Sequence, residues 1–322
     1  MSFGSRLVAR VEHHQVTAYL AAIAAGAVLG LAAPAAGAAL EPTINPVLAA
    51  LLYTTFLQVP AAQLVAAARD GRFLAAALVI NFAVAPLVVA AMWPLLPADR
   101  AVRLGVLLVL LTPCVDYVIV FSGLAGARSR QLLAATPLLL LAQMALLPGF
   151  LLLFLGPGLG DVVEPRPFVR AFLVLIVLPL ALAWATQSWA RRHRSGRITA
   201  AAAGSAMVPL MAATLLVVVA SQVAGLGTGA VAALRVLPFY VAFLVLMPLL
   251  GVLVARSLRL DVPAGRAIVF TGATRNSLVV LPLALALPDA LSVAAVVVVA
   301  QTLVEVLGMA LYVRLVPRLL PD

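Results

Sequence analysis

Two charged residues, Asp116 and Arg275, lie inside long apolar stretches, each in a segment poor in helix formers: Leu111-Thr112-Pro113-Cys114-Val115-Asp116 and Phe270-Thr271-Gly272-Ala273-Thr274-Arg275-Asn276-Ser277. Aligned without gaps from Thr112 and Thr271, acid and base share one position, roughly 159 residues apart, as an internal repeat would place them. An ionisable group at membrane depth is costly and by default marks a substrate or ion pathway. Two roles are open to the pair. It is either a static ion pair between crossing helices, or a working pair in which Asp116 exchanges a proton or binds a cation. In the working pair Arg275 stays charged, because guanidinium does not titrate in proteins.

Pro113 removes a backbone donor, and the stretch from Gly272 to Ser277 combines Gly with Thr, Asn and Ser, so both segments are places for a helix to unwind. Cys114 is either a small core hydrophobe or a soft ligand suited to trivalent arsenic or antimony. Glu305 either faces the same cavity as a second coupling acid or pairs with Arg314 near a helix end. Asn81, Thr136, Gln143, Asn276, Ser277 and Gln301, with Thr112, Pro113 and Thr271, either line a polar cavity or tie helices together by hydrogen bonds. Gln143 follows Ala142 and Gln301 follows Ala300, a further echo of the repeat.

The elements that must position these residues follow from composition. With 65% hydrophobic and 10% charged residues and a mean hydropathy of +1.18, the chain is too apolar for a soluble domain of this length. A spanning helix needs about 20 mainly apolar residues. Ten segments qualify, at 16–40, 44–68, 73–96, 101–124, 131–155, 167–189, 198–224, 230–255, 263–287 and 291–316. The first lacks a convincing cleavage site and reads as a retained helix. The Gly/Pro-containing loop from Gly156 to Arg166 joins two halves, a five-helix repeat over 1–157 and another over 158–322. Placing both termini in the cytoplasm leaves Arg100, Arg103, Arg166, Arg170 and Arg235 on the outer face, about three to one in favour of the inside. An odd number of helices per half inverts one repeat relative to the other, the plan of many secondary transporters. The expected fold is therefore an all-α polytopic membrane protein of ten transmembrane helices in two inverted repeats, with helices 4 and 9 discontinuous and crossing.

Other function classes find little support. The formal charge of +10 comes from 21 basic residues, all arginine, scattered between apolar runs without a basic face, which argues against nucleic acid. One cysteine excludes an intrachain disulfide or a multi-thiolate metal site within the chain. His13, His14 and His193 lie in the amino-terminal segment or a basic loop, so intramembrane enzyme catalysis is not expected. A nucleotide-binding loop is absent from the sequence, and neither a cofactor nor a bound metal is expected.

With ten segments, five-plus-five symmetry, Thr-Pro-Cys at 112–114 and Arg-Asn-Ser at 275–277, the chain resembles the bile acid/sodium symporter superfamily, most closely its arsenite-permease-like branch of arsenic resistance proteins. The resemblance implies a panel domain of helices 1, 2, 6 and 7 and a core domain of helices 3–5 and 8–10. It also implies a Cys114 needed for metalloid efflux. Symporters of the family carry Glu where this chain has Thr271 and Gln where it has Arg275, so the resemblance implies that the guanidinium takes the space and charge of a bound sodium ion. The expected function is export of arsenite or antimonite by proton-coupled antiport and alternating access. Cys114, Arg275, Asn276 and Ser277 would bind substrate, and Asp116 and Glu305 would couple protons. The alternative is an organic-anion or bile-acid-like carrier, sodium- or proton-coupled, in which Arg275 clamps a carboxylate. Expected partners are the small-molecule or metalloid substrate, the proton in preference to sodium, the bilayer of the cell (inner) membrane and a second copy of the chain.

Overall fold

The computed structural model describes residues 15–58, 70–114, 117–156, 170, 173–224 and 226–321. Asp116 lies outside the described residues, as do Arg6, Arg10, His13, His14 and Arg69 and nearly all of the expected loop between the halves.

The described residues are helical apart from short connections. In chain order come α1 (Gln15–Ala32), α2 (Pro34–Ala38), α3 (Ile44–Leu57), α4 (Gly71–Val79), α5 (Ala85–Met92), α6 (Arg100–Leu110), α7 (Tyr117–Leu124) and α8 (Ser129–Leu155). They are followed by α9 (Leu178–Arg192), α10 (Arg194–Ser205), α11 (Met207–Ala224), α12 (Leu226–Ser257), α13 (Val262–Ala273), α14 (Ser277–Leu285) and α15 (Val293–Leu319). Among the described residues five helices are long and apolar enough to cross a membrane, or six if the bent pair Arg194–Ser205 and Met207–Val223 is one span. Leu31, Leu87 and Leu153 are 69%, 69% and 77% exposed. In water such residues would call for a partner, whereas lipid is as apolar as they are. This is a multi-pass membrane protein.

Two compact units share the chain. One consists of Met1–Pro60 and Arg166–Thr228. Within it α11 lies along α1, and α9 along α3. Tyr53 and Thr186 join their hydroxyls at 2.9 Å, while the Gln187 amide donates to the carbonyls of Phe56 and Leu57 at 3.2 and 3.1 Å. The other unit consists of Ala61–Pro165 and Gly229–Asp322. All the buried charged residues among those described, Arg266, Arg275 and Glu305, belong to it.

Local chemistry sets the helix starts in this second unit. Asp70, Asp99 and Asp261 cap α4, α6 and α13 by accepting from the amides of Phe73, Val102 and Ala264 at 3.3, 3.0 and 3.0 Å. A π turn over Ile80–Val84 joins α4 to α5, with the Ala85 amide donating to the Ile80 carbonyl. Pro86 just beyond it has no amide, so the ordinary ladder cannot continue there, and the turn widens instead. Gly272 allows α13 to approach this turn, since a Cβ on it would stand 2.3 Å from Cγ1 of Ile80.

The segments expected at 101–124 and 263–287 are each two helices. The first stops at Leu110 and resumes at Tyr117, and the second stops at Ala273 and resumes at Ser277. None of the four pieces is long enough to cross a bilayer by itself.

Candidate functional site

The site starts from the two interruptions. Pro113 cannot donate and keeps Thr112 out of helical geometry. Thr112 turns its hydroxyl back to the carbonyls of Leu108 and Val109 at 2.8 and 3.1 Å, satisfying the end of α6. At the end of α13, Thr274 is extended, with φ −101° and ψ 141°, and its hydroxyl returns to the Phe270 carbonyl at 2.8 Å. The freed backbones then satisfy each other. Pro113 and Arg275 form an antiparallel bridge. The Asn276 amide donates to the Thr112 carbonyl at 2.8 Å and the Cys114 amide to the Thr274 carbonyl at 3.2 Å. Two buried peptide segments thus pair as a minimal strand contact. Asn276 also caps α14, its side-chain oxygen accepting from the Val279 amide at 3.1 Å.

Arg275 occupies the middle of this crossing and is fully buried. Its Nη2 donates to Oδ1 of Asn81 at 2.9 Å and to the Thr271 carbonyl at 3.2 Å, and it also bonds the Gly272 carbonyl. Nη1 donates to the Leu110 carbonyl at 3.3 Å. Leu110 ends α6, and Thr271 and Gly272 lie in the last turn of α13. One guanidinium therefore faces the carbonyl-rich, partly negative ends of two helices, where a cation is stabilised. The Phe243 ring lies 5.2 Å from the guanidinium carbon, adding a cation–π contact. Asn81 is oriented for its role, its amide nitrogen donating to the Ala77 carbonyl at 2.9 Å and to the Thr271 hydroxyl at 3.2 Å.

Glu305 of α15 is fully buried beside this group. Its Oε2 accepts from the backbone amide of Arg275 at 2.8 Å and from the Gln301 amide one turn back. Thr302 donates to the Ser277 hydroxyl at 2.7 Å, fastening α15 to the start of α14.

Of the residues singled out in the sequence, Asn81, Thr112, Pro113, Cys114, Thr271, Arg275, Asn276, Ser277, Gln301 and Glu305 come together around the crossing. Asp116 lies outside the described residues. Thr136 uses its hydroxyl on the Leu132 carbonyl of its own helix. Gln143 is buried with neither amide atom hydrogen-bonded among the described residues. Sequence reasoning missed Phe243 and Thr302. Thr302 had a signal, as the polar neighbour of Gln301, whereas Phe243 is one apolar residue in an apolar helix and had none. Around the crossing some polar atoms also have no hydrogen-bond partner among the described residues: Nε of Arg275, Nδ2 of Asn276 and Oε1 of Gln301. Two are donors and one an acceptor.

The Sodium Bile acid symporter family model matches residues 45–228, more than half of the chain. That stretch includes Thr112, Pro113 and Cys114 but ends before Arg275. No curated protein matches the sequence.

Proposed function

Since this chain belongs to the Sodium Bile acid symporter family, whose members are transporters, we propose that it is a secondary active transporter that exports a metalloid oxyacid, arsenite or antimonite. Export is by proton antiport through alternating access, across the cell (inner) membrane with both termini in the cytoplasm. The two units, each built from a stretch of both halves of the chain, support a division into panel and core, and the paired interruptions support two inverted five-helix repeats.

The observation that carries this reading is the commitment of the Arg275 guanidinium. Its terminal nitrogens are already bonded to Asn81 and to the carbonyls of Leu110, Thr271 and Gly272. A carboxylate clamp needs two parallel donors from that fork, so the organic-anion alternative loses its recognition element. A neutral trihydroxide needs no charge partner. It suits a mixed set of free donors and acceptors, which the unpaired atoms of Arg275, Asn276 and Gln301 supply. The same four oxygens are hard ligands of the kind that bind simple cations. Filling them with a fixed charge favours the proton over sodium as the coupling ion.

Cys114 supplies the soft ligand. Its thiol can exchange with one hydroxide of the metalloid, forming a sulfur–metalloid bond and releasing water, and hydrolysis reverses the step. A single bond of this kind permits release where a three-thiolate cage would not. Asp116 carries the proton, with Glu305 as the second acid, while Arg275 keeps its charge throughout.

The test is flux in proteoliposomes under separately imposed gradients. A pH gradient drives arsenite export and a sodium gradient does not. Cys114→Ser abolishes metalloid flux, and Asp116→Asn removes its dependence on the pH gradient. Sodium-driven export, or arsenite flux that survives Cys114→Ser, refutes the proposal.

A further inference from the structure

Two features of the second unit lie outside the crossing: an apolar groove and the arginines at its end. Helices α12 and α15 are tied along their length. The Tyr240 hydroxyl donates to the Val297 carbonyl at 3.0 Å, and that of Tyr312 bonds the Leu244 carbonyl. Gly308 brings them close, since a Cβ there would stand 2.7 Å from Cδ1 of Leu244. Along this seam lies a groove of about 460 Å³ whose walls include Val245, Leu249, Val304, Leu307, Leu311 and Leu315. Val245, Leu307 and Leu311 are 60%, 63% and 58% exposed.

The two helices finish at the same end of the unit. Gly265 of α13 lies between Ala255 and Leu320, and Nε of Arg266 donates to the Leu320 carbonyl at 3.0 Å. Arg256 follows Leu249 by two helical turns, and Arg314 and Arg318 follow Leu307 and Leu311 by the same interval, so the groove-facing stripes lead to these arginines. All three are exposed. Asp261, an acid at this end, is paired with Arg128.

An apolar channel along the span that ends in exposed cations matches an amphiphile whose headgroup is anionic. We infer that the groove between α12 and α15 is a binding site for an anionic phospholipid, one acyl chain lying against Leu307 and Leu311 and the phosphate facing Arg256, Arg314 and Arg318. A second copy of the chain is a poorer occupant. A two-fold contact uses the same patch on both partners and would bring two sets of these arginines together at one membrane face.

The experiment uses the full chain reconstituted with equal amounts of phosphatidylglycerol and phosphatidylcholine, re-extracted in mild detergent and examined by native mass spectrometry. Phosphatidylglycerol is retained preferentially. The double variant Arg314→Gln/Arg318→Gln loses that preference by about fivefold per arginine. Leu311→Trp, which fills the groove from a lipid-facing position, lowers retention of both lipids. Equal retention of the two lipids by the unmodified protein overturns the inference, as does a preference unchanged in the double variant. Disulfide-linked dimers from Leu311→Cys in a Cys114→Ser background would place a second copy in the groove and overturn it too.

Discussion

At the residue scale, Arg275 unites two requirements that a membrane interior makes severe. Helices that end inside lipid leave carbonyls without partners, and a buried cation needs anions or dipoles around it. Each supplies what the other lacks, through the carbonyls of Leu110, Thr271 and Gly272. Replacing Arg275 with Gln leaves part of this arrangement uncompensated and should cost about 3–5 kcal/mol, read as a fall in the thermal unfolding midpoint of the purified protein. If the oxygens then behave as a vacated cation site, sodium but not choline raises the midpoint of the variant and leaves that of the unmodified protein unchanged. A midpoint insensitive to sodium in both would remove the argument that the guanidinium stands in for an ion. The presence and type of this residue were legible in the sequence, because an arginine in an apolar segment has few roles. Its partners were only partly legible. Asn81 and Glu305 are polar and drew notice, whereas three backbone carbonyls leave no mark in a sequence.

At the element scale, the interruptions after Leu110 and after Ala273 were legible because Pro, Gly and a run of Thr, Asn and Ser each weaken the helix by a known mechanism. The helix starts at Asp99 and Asp261 follow from capping in the same local way. The π turn at Ile80–Val84 was not legible, since Pro86 allows a kink, a break or a widened turn, and the packing of α13 selects among them. Gly272 lets α13 approach this turn. Gly272→Ala should lower stability by about 1–3 kcal/mol, the usual cost of overpacking, because its Cβ would meet Ile80 at 2.3 Å. Gly149 is the control, with nothing within 4 Å of a Cβ there. Gly149→Ala in α8 should be neutral or stabilising by up to about 1 kcal/mol. Equal destabilisation by the two changes in thermal unfolding would mean that the close approach at Gly272 is not a packing constraint.

At the scale of the whole molecule, hydropathy foresaw a multi-pass protein, but long apolar helices account for only part of the expected spans among the described residues. The expected fourth and ninth spans are divided into short pieces, and the second and sixth run into segments outside the described residues. The expected topology has a direct test, because Cys114 is the single cysteine of the chain. In a Cys114→Ser background, a cysteine at Arg194 should react with an impermeant maleimide only from the cytoplasmic side, and one at Arg235 only from the outside. Labelling of both from one side would contradict the inverted arrangement. The sequence by itself determined the class of molecule, the broken segments and most of the polar residues that gather where those segments meet. These depend on composition, local propensity and the cost of charge in lipid, all of which act over short stretches of chain. Only the tertiary structure decided that the guanidinium closes the ends of two helices rather than standing open as a clamp. That choice depends on backbone groups brought together from residues 81, 110 and 271–275, and no local rule encodes their distances.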